Sequence, residues 1–249
     1  MRIMKPETIT KIKEEIIQFS RKMLPQQSIE ELKRAFPFHS IFFTDEGLRA
    51  FKTQRTLVTR MGMELYPKIA LLIAQDKYSR VFLNHTIEGY ADIGMIAKAD
   101  RILDELRTGQ RKPDAIKEWN EIIASASGGK RRHKIKADLF IEDFENGPLF
   151  MEIKSPRPNL DVCTESKRKM LYFKIINFDS KVEAYLAFPY NPFIKRENYS
   201  HNFTLRIMDF EKEVLVGEEM WDKIGGRGTF DELLGILEEV KEELKISEK

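Results

Sequence analysis

Residues 135–154, IKADLFIEDFENGPLFMEIK, carry the strand and turn signals on which the predicted fold depends. Apolar and polar residues alternate over 135–142 and again over 149–154, which is typical of β-strands. Between these two runs, residues 145–148 (ENGP) form a strong turn signal. The pattern therefore predicts a β-hairpin in which each strand has one apolar face.

The predicted hairpin brings three charged residues together. Paired positions in an antiparallel hairpin sum to a constant, and pairing Asp138 with Glu152 centres the hairpin on residue 145, within the predicted turn. Lys154 lies two residues beyond Glu152, so its side chain projects from the same face about 7 Å further along the strand. The opposite face of the first strand is predicted to carry Ala137, Leu139 and Ile141.

Two carboxylates and a lysine at one point fit metal-assisted phosphodiester hydrolysis, because neither a charged phosphate nor neutral water reacts readily alone. The single cysteine and four scattered histidines give no zinc-site spacing, so a metal would be held by carboxylates, as Mg²⁺ is. We predict Asp138 and Glu152 as Mg²⁺ ligands, and Lys154 as the group that orients or deprotonates water or stabilises negative charge. The alternative is a solvated hairpin face, which alternating charges on a strand commonly indicate.

Positive charge is concentrated around this hairpin, although 42 Lys+Arg against 40 Asp+Glu leave a net charge of only +2. A basic tract, residues 130–136, lies just before Asp138 in the sequence, and further cations follow the second strand. Such a tract is commonly a solvated run, but here an anionic polymer lying across the hairpin would meet cations on both sides. The predicted nucleic-acid-binding residues are Lys130, Arg131, Arg132, Lys134, Lys136, Arg157, Lys167 and Arg168.

The rest of the chain has mostly helical spacing. Residues 1–127 are predicted to be mainly helical, 128–215 to contain the hairpin and the sheet core, and 216–249 to form a helical tail. Within the sheet core, 182–188 and 203–208 are predicted strands. Because no low-complexity linker separates these sections, we expect one α/β or α+β domain spanning 1–249.

Two further acidic positions, Glu64 and Asp114, lie outside the hairpin. Glu64 lies in an apolar helical run over 55–75 that Pro67 is expected to kink or break, and it is a candidate additional acidic residue of the site or, more commonly, an ordinary exposed position. Pro113-Asp114 is predicted to be a helix start without a catalytic role.

The chain contains no run of the roughly 20 apolar residues that a membrane span requires. Its first apolar stretch is also too short for the core of a signal peptide. We therefore expect a cytoplasmic protein without a membrane partner.

Residues 136–140 (KADLF) and 150–156 (FMEIKSP) resemble the PD-(D/E)XK nuclease signature, with Ala137 in place of the motif's leading proline. Residues 156–159 (PRPN), 187–193 (AFPYNPF) and 217–228 (GEEMWDKIGGRG) are similar to segments of TdeIII-like type II restriction endonucleases. This resemblance extends over about residues 55 to 240. It implies a central mixed sheet flanked by helices, with a helical N-terminal section. It also implies a homodimeric, Mg²⁺-dependent enzyme that cuts both strands of duplex DNA at a short palindrome, with GGNCC as the characteristic target.

Two alternative functions are also compatible with this sequence. The same three residues would serve a repair or junction-resolving nuclease, because they determine the reaction and not the DNA structure recognised. In a non-catalytic nucleic-acid-binding protein, the hairpin would be scaffold and residues 128–136 would bind phosphate.

Overall fold

The structure is a computed structural model that describes residues 3–22 and 27–247, with side chains described as far as residue 244. Its centre is a five-stranded sheet in the order β1-β2-β3-β4-β5, antiparallel from β1 to β3 and parallel from β3 to β5. The strands are β1 (Val81–Asp92), β2 (Lys130–Ile141), β3 (Leu149–Ile153), β4 (Glu183–Phe188) and β5 (Val214–Val216). The helices are α1 (Pro6–Arg21), α2 (Ile29–Ala35), α3 (His39–Phe42), α4 (Asp45–Arg60), α5 (Tyr66–Ala74), α6 (Ile93–Thr108), α7 (Ala115–Ile123), α8 (Leu160–Ile176), α9 (Asn202–Ile207), α10 (Phe210–Glu213), α11 (Glu218–Gly225) and α12 (Thr229–Ser247). This mixed sheet flanked by helices confirms the predicted fold class.

Helices cover the sheet on both faces. The side chain of Phe150 packs into one core with α6, α7 and α8, whereas Met151 packs into a second core with α1, α5, α11 and α12. All five residues of β3 are buried. The expectation of one apolar face per strand is therefore wrong. The alternative of a solvated hairpin face is wrong too, because the centre of a sheet between two helical layers has no solvent-exposed face.

The hairpin register agrees with the sequence prediction. The pairs Leu139 with Met151, Phe140 with Phe150 and Ile141 with Leu149 keep the sum that relates Asp138 to Glu152. Pairing stops at Leu139, so β2 and β3 separate there. We call this point of separation the fork.

The strand β1 has no counterpart in the sequence prediction. It pairs with β2 from Val81 to Asp92, except at Asn84, which lies opposite Asp138 and has a left-handed backbone with φ 52°. Side-chain alternation shifts at this irregularity, because Ala137 packs into the core beside α8 whereas Leu139 packs into the second core. The prediction that Ala137, Leu139 and Ile141 share one face is therefore wrong.

Two other sequence predictions, a helix break at Pro67 and a strand over 203–208, can be compared with the helix boundaries. The expected break at Pro67 occurs, since α4 ends at Arg60, a π-helical segment spans Met61–Leu65, and α5 begins with Pro67 in its first turn. The strand predicted over 203–208 is wrong. Residues 203–207 belong to α9, whose start is capped by the His201 ring accepting a hydrogen bond from the Thr204 N–H.

None of the helices in the described part of the chain is long and apolar enough to cross a membrane.

Candidate active site

The fork brings together the three residues singled out in the hairpin. Asp138 is the last residue of β2 before its pairing with β3 begins, Glu152 lies on β3, and Lys154 directly follows that strand. The Lys154 ammonium donates a hydrogen bond to Asp138 Oδ2 and lies 3.0 Å from Glu152 Oε2. The main-chain N–H of Ile153 also donates to Asp138 Oδ2, at 2.9 Å. The two carboxylates are thus held around one ammonium group.

A second lysine reaches the same carboxylate from the helical layer. Lys169 of α8 places its Nζ 3.0 Å from Glu152 Oε1 and 3.1 Å from Oε2. Sequence reasoning missed this contact, because spacing along a helix does not show which of its residues faces the end of a distant strand. The only local signal for Lys169 is that it belongs to the basic run 167–169. The run does not show that its three side chains lie in different environments.

These three consecutive cations point in different directions, since successive residues of a helix are rotated by about 100°. Lys167 is fully buried, lies 2.6 Å from Glu118 Oε2 and donates a hydrogen bond to Glu213 Oε2. The prediction that Lys167 binds nucleic acid is therefore wrong, because its ammonium is enclosed in the core. Arg168 is half-buried and pairs with Glu165 at 2.6 Å.

Burial and neighbouring charge act against each other on the fork residues. Burial, the largest effect, raises the pKa of the Glu152 carboxyl, and the Asp138 charge adds to it, while Lys154 and Lys169 oppose both. Burial alone would lower the pKa of Lys154, but Glu152 and Asp138 outweigh it and leave that pKa above its usual value. The site therefore stabilises a positive charge between its carboxylates.

An open cavity of about 390 Å³ adjoins the fork. Asp138 and Lys154 form one wall, and the irregular Asn84 of β1 lines it beside them. The remaining lining residues come from the end of α4, the π-helical segment, α5 and the end of β3; they are Val58, Thr59, Gly62, Met63, Pro67, Ile153 and Ser155. The fork is thus accessible from outside.

The other two acidic candidates lie away from the fork. Glu64 does not line this cavity, and its carboxylate pairs with Arg60 at 2.9 Å instead. The structure therefore does not bring Glu64 to the two carboxylates. Asp114 caps α7 by accepting a hydrogen bond from the Lys117 N–H, which confirms the helix start predicted at Pro113-Asp114.

The basic tract lies on a two-stranded ribbon, formed by residues 85–92 of β1 and 130–137 of β2, which extends past the fork. One face of the ribbon packs on α8, where the His133 ring contacts Tyr172 and Ile176 approaches Gly89. The outer face carries the alternate residues Lys130, Arg132, Lys134 and Lys136. Arg131 alternates with these residues and so belongs to the face that packs on α8, yet its side chain is exposed. The four cations of the outer face and Arg157 are exposed as well.

Comparison with known proteins identifies relatives along nearly the whole chain. Residues 4–241 match the family model described as type II restriction endonuclease, HinfI. The type II restriction enzyme HgiCII of Herpetosiphon aurantiacus is 30% identical over 210 residues, covering 82% of this chain and 77% of the relative. HgiBI of the same organism is 31% identical over 210 residues, with 82% and 76% covered. MjaII of Methanocaldococcus jannaschii is 26% identical over 264 residues, with 93% and 70% covered.

No solved structure matches the chain. The family match nevertheless spans both helical layers, the ribbon and the fork, and is not confined to one motif. Type II restriction endonucleases are hydrolases that cut both strands of duplex DNA at a specific site. On this evidence, the chain belongs to the HinfI family of type II restriction endonucleases.

Proposed function

We propose that this restriction endonuclease cuts DNA at the fork by PD-(D/E)XK chemistry, with Asp138 and Glu152 as Mg²⁺ ligands and Lys154 as the catalytic lysine. The observation that carries the proposal is the mutual contact of these three side chains beside an open cavity. Restriction endonucleases generally use divalent metal ions, and the specific proposal is that Mg²⁺ is the ion used here.

The donor atoms at the fork fit Mg²⁺. Asp138 and Glu152 supply carboxylate oxygens, and the main-chain carbonyl of Ile153, the residue directly after Glu152, could supply a further hard oxygen ligand. The described residues contain no group of three or more His, Cys, Asp or Glu side chains that could hold a metal. Mg²⁺ suits such a sparse set, because it keeps several waters and is commonly bound by only one or two carboxylates together with phosphate oxygens. When bound, the ion would supply positive charge to polarise the scissile phosphate.

The protein groups would prepare the site in two ways. The Ile153 N–H fixes the orientation of Asp138, and Lys169 contacts both oxygens of the buried Glu152. Lys154 would then donate its N–H groups to the phosphate oxygens as negative charge develops on them. Lys169 is a positioning residue in this scheme, since it acts through Glu152.

DNA would lie across the outer face of the ribbon with its scissile phosphate at the fork. On that face Thr86, Glu88 and Tyr90 of β1 lie opposite Lys136, Lys134 and Arg132. Glu88 forms ion pairs with Arg132 and Lys134, which DNA phosphates would compete for. A two-stranded ribbon fits the major groove, where cations contact phosphates and polar side chains contact base edges. Arg157 and Arg168 would add positive charge on the far side of the fork.

Membership of the type II family decides against the two alternative functions, a repair or junction-resolving nuclease and a non-catalytic binding protein. The proposal also includes a homodimer, because a palindromic target has the two-fold symmetry of a pair of identical chains. A TdeIII-like specificity for GGNCC, a single nuclease domain over 1–249 and a cytoplasmic location complete it.

The decisive experiment compares Lys154→Met with the wild type. Plasmid cleavage with Mg²⁺ should fall by at least about 10²-fold, because removing one positioned donor from a developing oxyanion costs that much. Duplex binding measured with Ca²⁺ should change little, and Lys181→Met, on the surface beside β4, should cut at the wild-type rate. Cleavage by Lys154→Met at the wild-type rate would remove the fork from the mechanism, and sequencing the product ends would show whether the target is GGNCC.

A further inference from the structure

The N-terminal part of the chain forms a helical arm, defined here as α2, α3 and α4 (residues 29–60). Its own small interior contains the buried Leu32 and Leu48, neither of which belongs to the two cores of the sheet. The Phe51 ring stacks on Phe43, and its edge meets Phe36. The arm is therefore a separate packing unit, joined to the body at the end of α4.

The tip of this arm presents an apolar stripe to solvent. Phe38, Ile41 and Phe42 occupy positions i, i+3 and i+4 of one helical turn, because Phe38 already has right-handed helical backbone angles at the start of α3. They are 78%, 75% and 83% exposed, and Phe43 beside them is 43% exposed. Single exposed apolar residues are normal on a protein surface, but a contiguous group at helical spacing is typical of an interaction site.

We propose that this stripe, Phe38, Ile41, Phe42 and Phe43, is the surface through which two copies of the chain associate. The inference deepens the proposed function, since it rests on the homodimer included there. Cutting both strands of a symmetric site in one binding event uses two reaction centres, and the described residues of one chain provide a single fork. A second copy therefore fits this surface better than an unrelated partner.

The size of the stripe is consistent with this role. Aromatic side chains bury about 150–250 Å² each. Three of the four residues are Phe, so at the observed exposures the stripe offers roughly 500 Å² on one copy. In a two-fold interface the same patch contributes from both chains, which gives about 1,000 Å² in total, the lower limit for a specific interface. Asp45, two residues after Phe43 in the sequence, forms an ion pair with Lys33 at 2.7 Å, and charged residues of both signs are common at interface rims.

DNA fits this stripe less well than a second copy of the chain does, because apolar side chains offer no hydrogen-bond donors to phosphate.

The position of the arm also gives the association a consequence for the reaction. The helix α4 continues into the π-helical segment, and Gly62 and Met63 of that segment line the cavity at the fork. Pairing of two arms would therefore fix the separation of the two forks, and with it the spacing between the cuts in the two strands.

The test is the mass of the protein in solution. The wild type should sediment with the mass of two chains of 29.2 kDa, and the double variant Ile41→Asp, Phe42→Asp with the mass of one. The matched control is Ile116→Asp, which changes an exposed apolar residue on α7 and should leave the dimer intact. A monomeric wild type, or a dimeric double variant with native circular dichroism, would overturn the proposal.

A milder substitution guards against misfolding of the double variant. The only cysteine, Cys163, is buried, so Phe42→Cys introduces the one exposed thiol. Under mild oxidation it should form a disulfide-linked dimer much faster than Ile116→Cys, and equal rates would contradict the proposed contact. Neither measurement depends on DNA cleavage. A failure of the fork chemistry would therefore appear as a dimer that does not cut, and a failure of the arm surface as an active enzyme whose mass is unaffected by the substitutions.

Discussion

Replacement of the buried Lys167 by methionine should destabilise the protein strongly without weakening its electrostatic attraction to DNA. Lys167 is enclosed between Glu118 and Glu213, and all three side chains are buried. Removing one partner from a buried ion pair leaves an uncompensated charge and costs about 3–5 kcal/mol. That is a large share of the ~5–15 kcal/mol that a domain has in total. Urea unfolding followed by tryptophan fluorescence should therefore show a much lower midpoint.

The effect should depend on pH. Burial, the largest effect, already raises the pKa of Glu118 in the native protein against the opposing charge of Lys167, so the variant should raise it further. A carboxyl with a raised native pKa stabilises the fold fully only below its unfolded pKa of about 4.3, and this contribution is lost as pH rises through the native value. The variant should thus be less stable at neutral than at mildly acidic pH.

A compensated variant supplies the control for this prediction. Combining Lys167→Met with Glu118→Gln and Glu213→Gln removes all three charges and should recover much of the lost stability, because replacing a whole buried ionic cluster is often nearly neutral. The slope of log Kd for DNA against log salt should match that of the wild type in every folded variant. A loss of stability below about 1 kcal/mol, a value usual for an exposed pair, or a shallower salt slope would refute the placement of Lys167 in the core.

Three other substitutions test different parts of the structure. Lys169→Met should raise the Mg²⁺ concentration needed for half-maximal cleavage, because Glu152 loses the ammonium that holds it, and an unchanged Mg²⁺ titration would contradict that role. Lys134→Ala should lower the salt slope of DNA binding by about one counterion, whereas Lys181→Ala should not, as filter binding over a salt series can establish. Asp92→Asn should make the melting temperature fall less steeply as pH is lowered into the acid range. Backbone N–H groups lower the pKa of Asp92 to about 2, so its stabilising effect is complete above the unfolded pKa of about 3.9 and is lost as pH falls from there through about 2. An identical fall in melting temperature for variant and wild type would disprove this contribution.

The sequence was sufficient for the local part of the site. Turn chemistry and strand alternation determine the register of a hairpin, so the relation of Asp138 to Glu152 followed from residues 135–154 alone. The helix start at Asp114 was predictable for the same reason, since a cap depends only on its neighbours.

The errors concern features that depend on distant parts of the chain. The irregularity at Asn84, which shifts the alternation of β2, involves a partner strand more than fifty positions away in sequence. Lys167 and Lys169 are both basic residues on one helix, yet one meets buried acids and the other meets Glu152. Composition and spacing cannot separate them, because the difference arises only when α8 packs against the sheet.

Cleavage of the polypeptide by bound iron would show whether a divalent ion binds at the fork. Fe²⁺ placed in the Mg²⁺ site and treated with ascorbate and peroxide generates radicals that cut the chain close to the ion. If Asp138 and Glu152 hold the ion, fragments should end near Asp138 and near residues 152–154, and they should be lost when excess Mg²⁺ competes and in Asp138→Ala. Mg²⁺-sensitive cuts confined to another part of the chain would contradict binding at the fork.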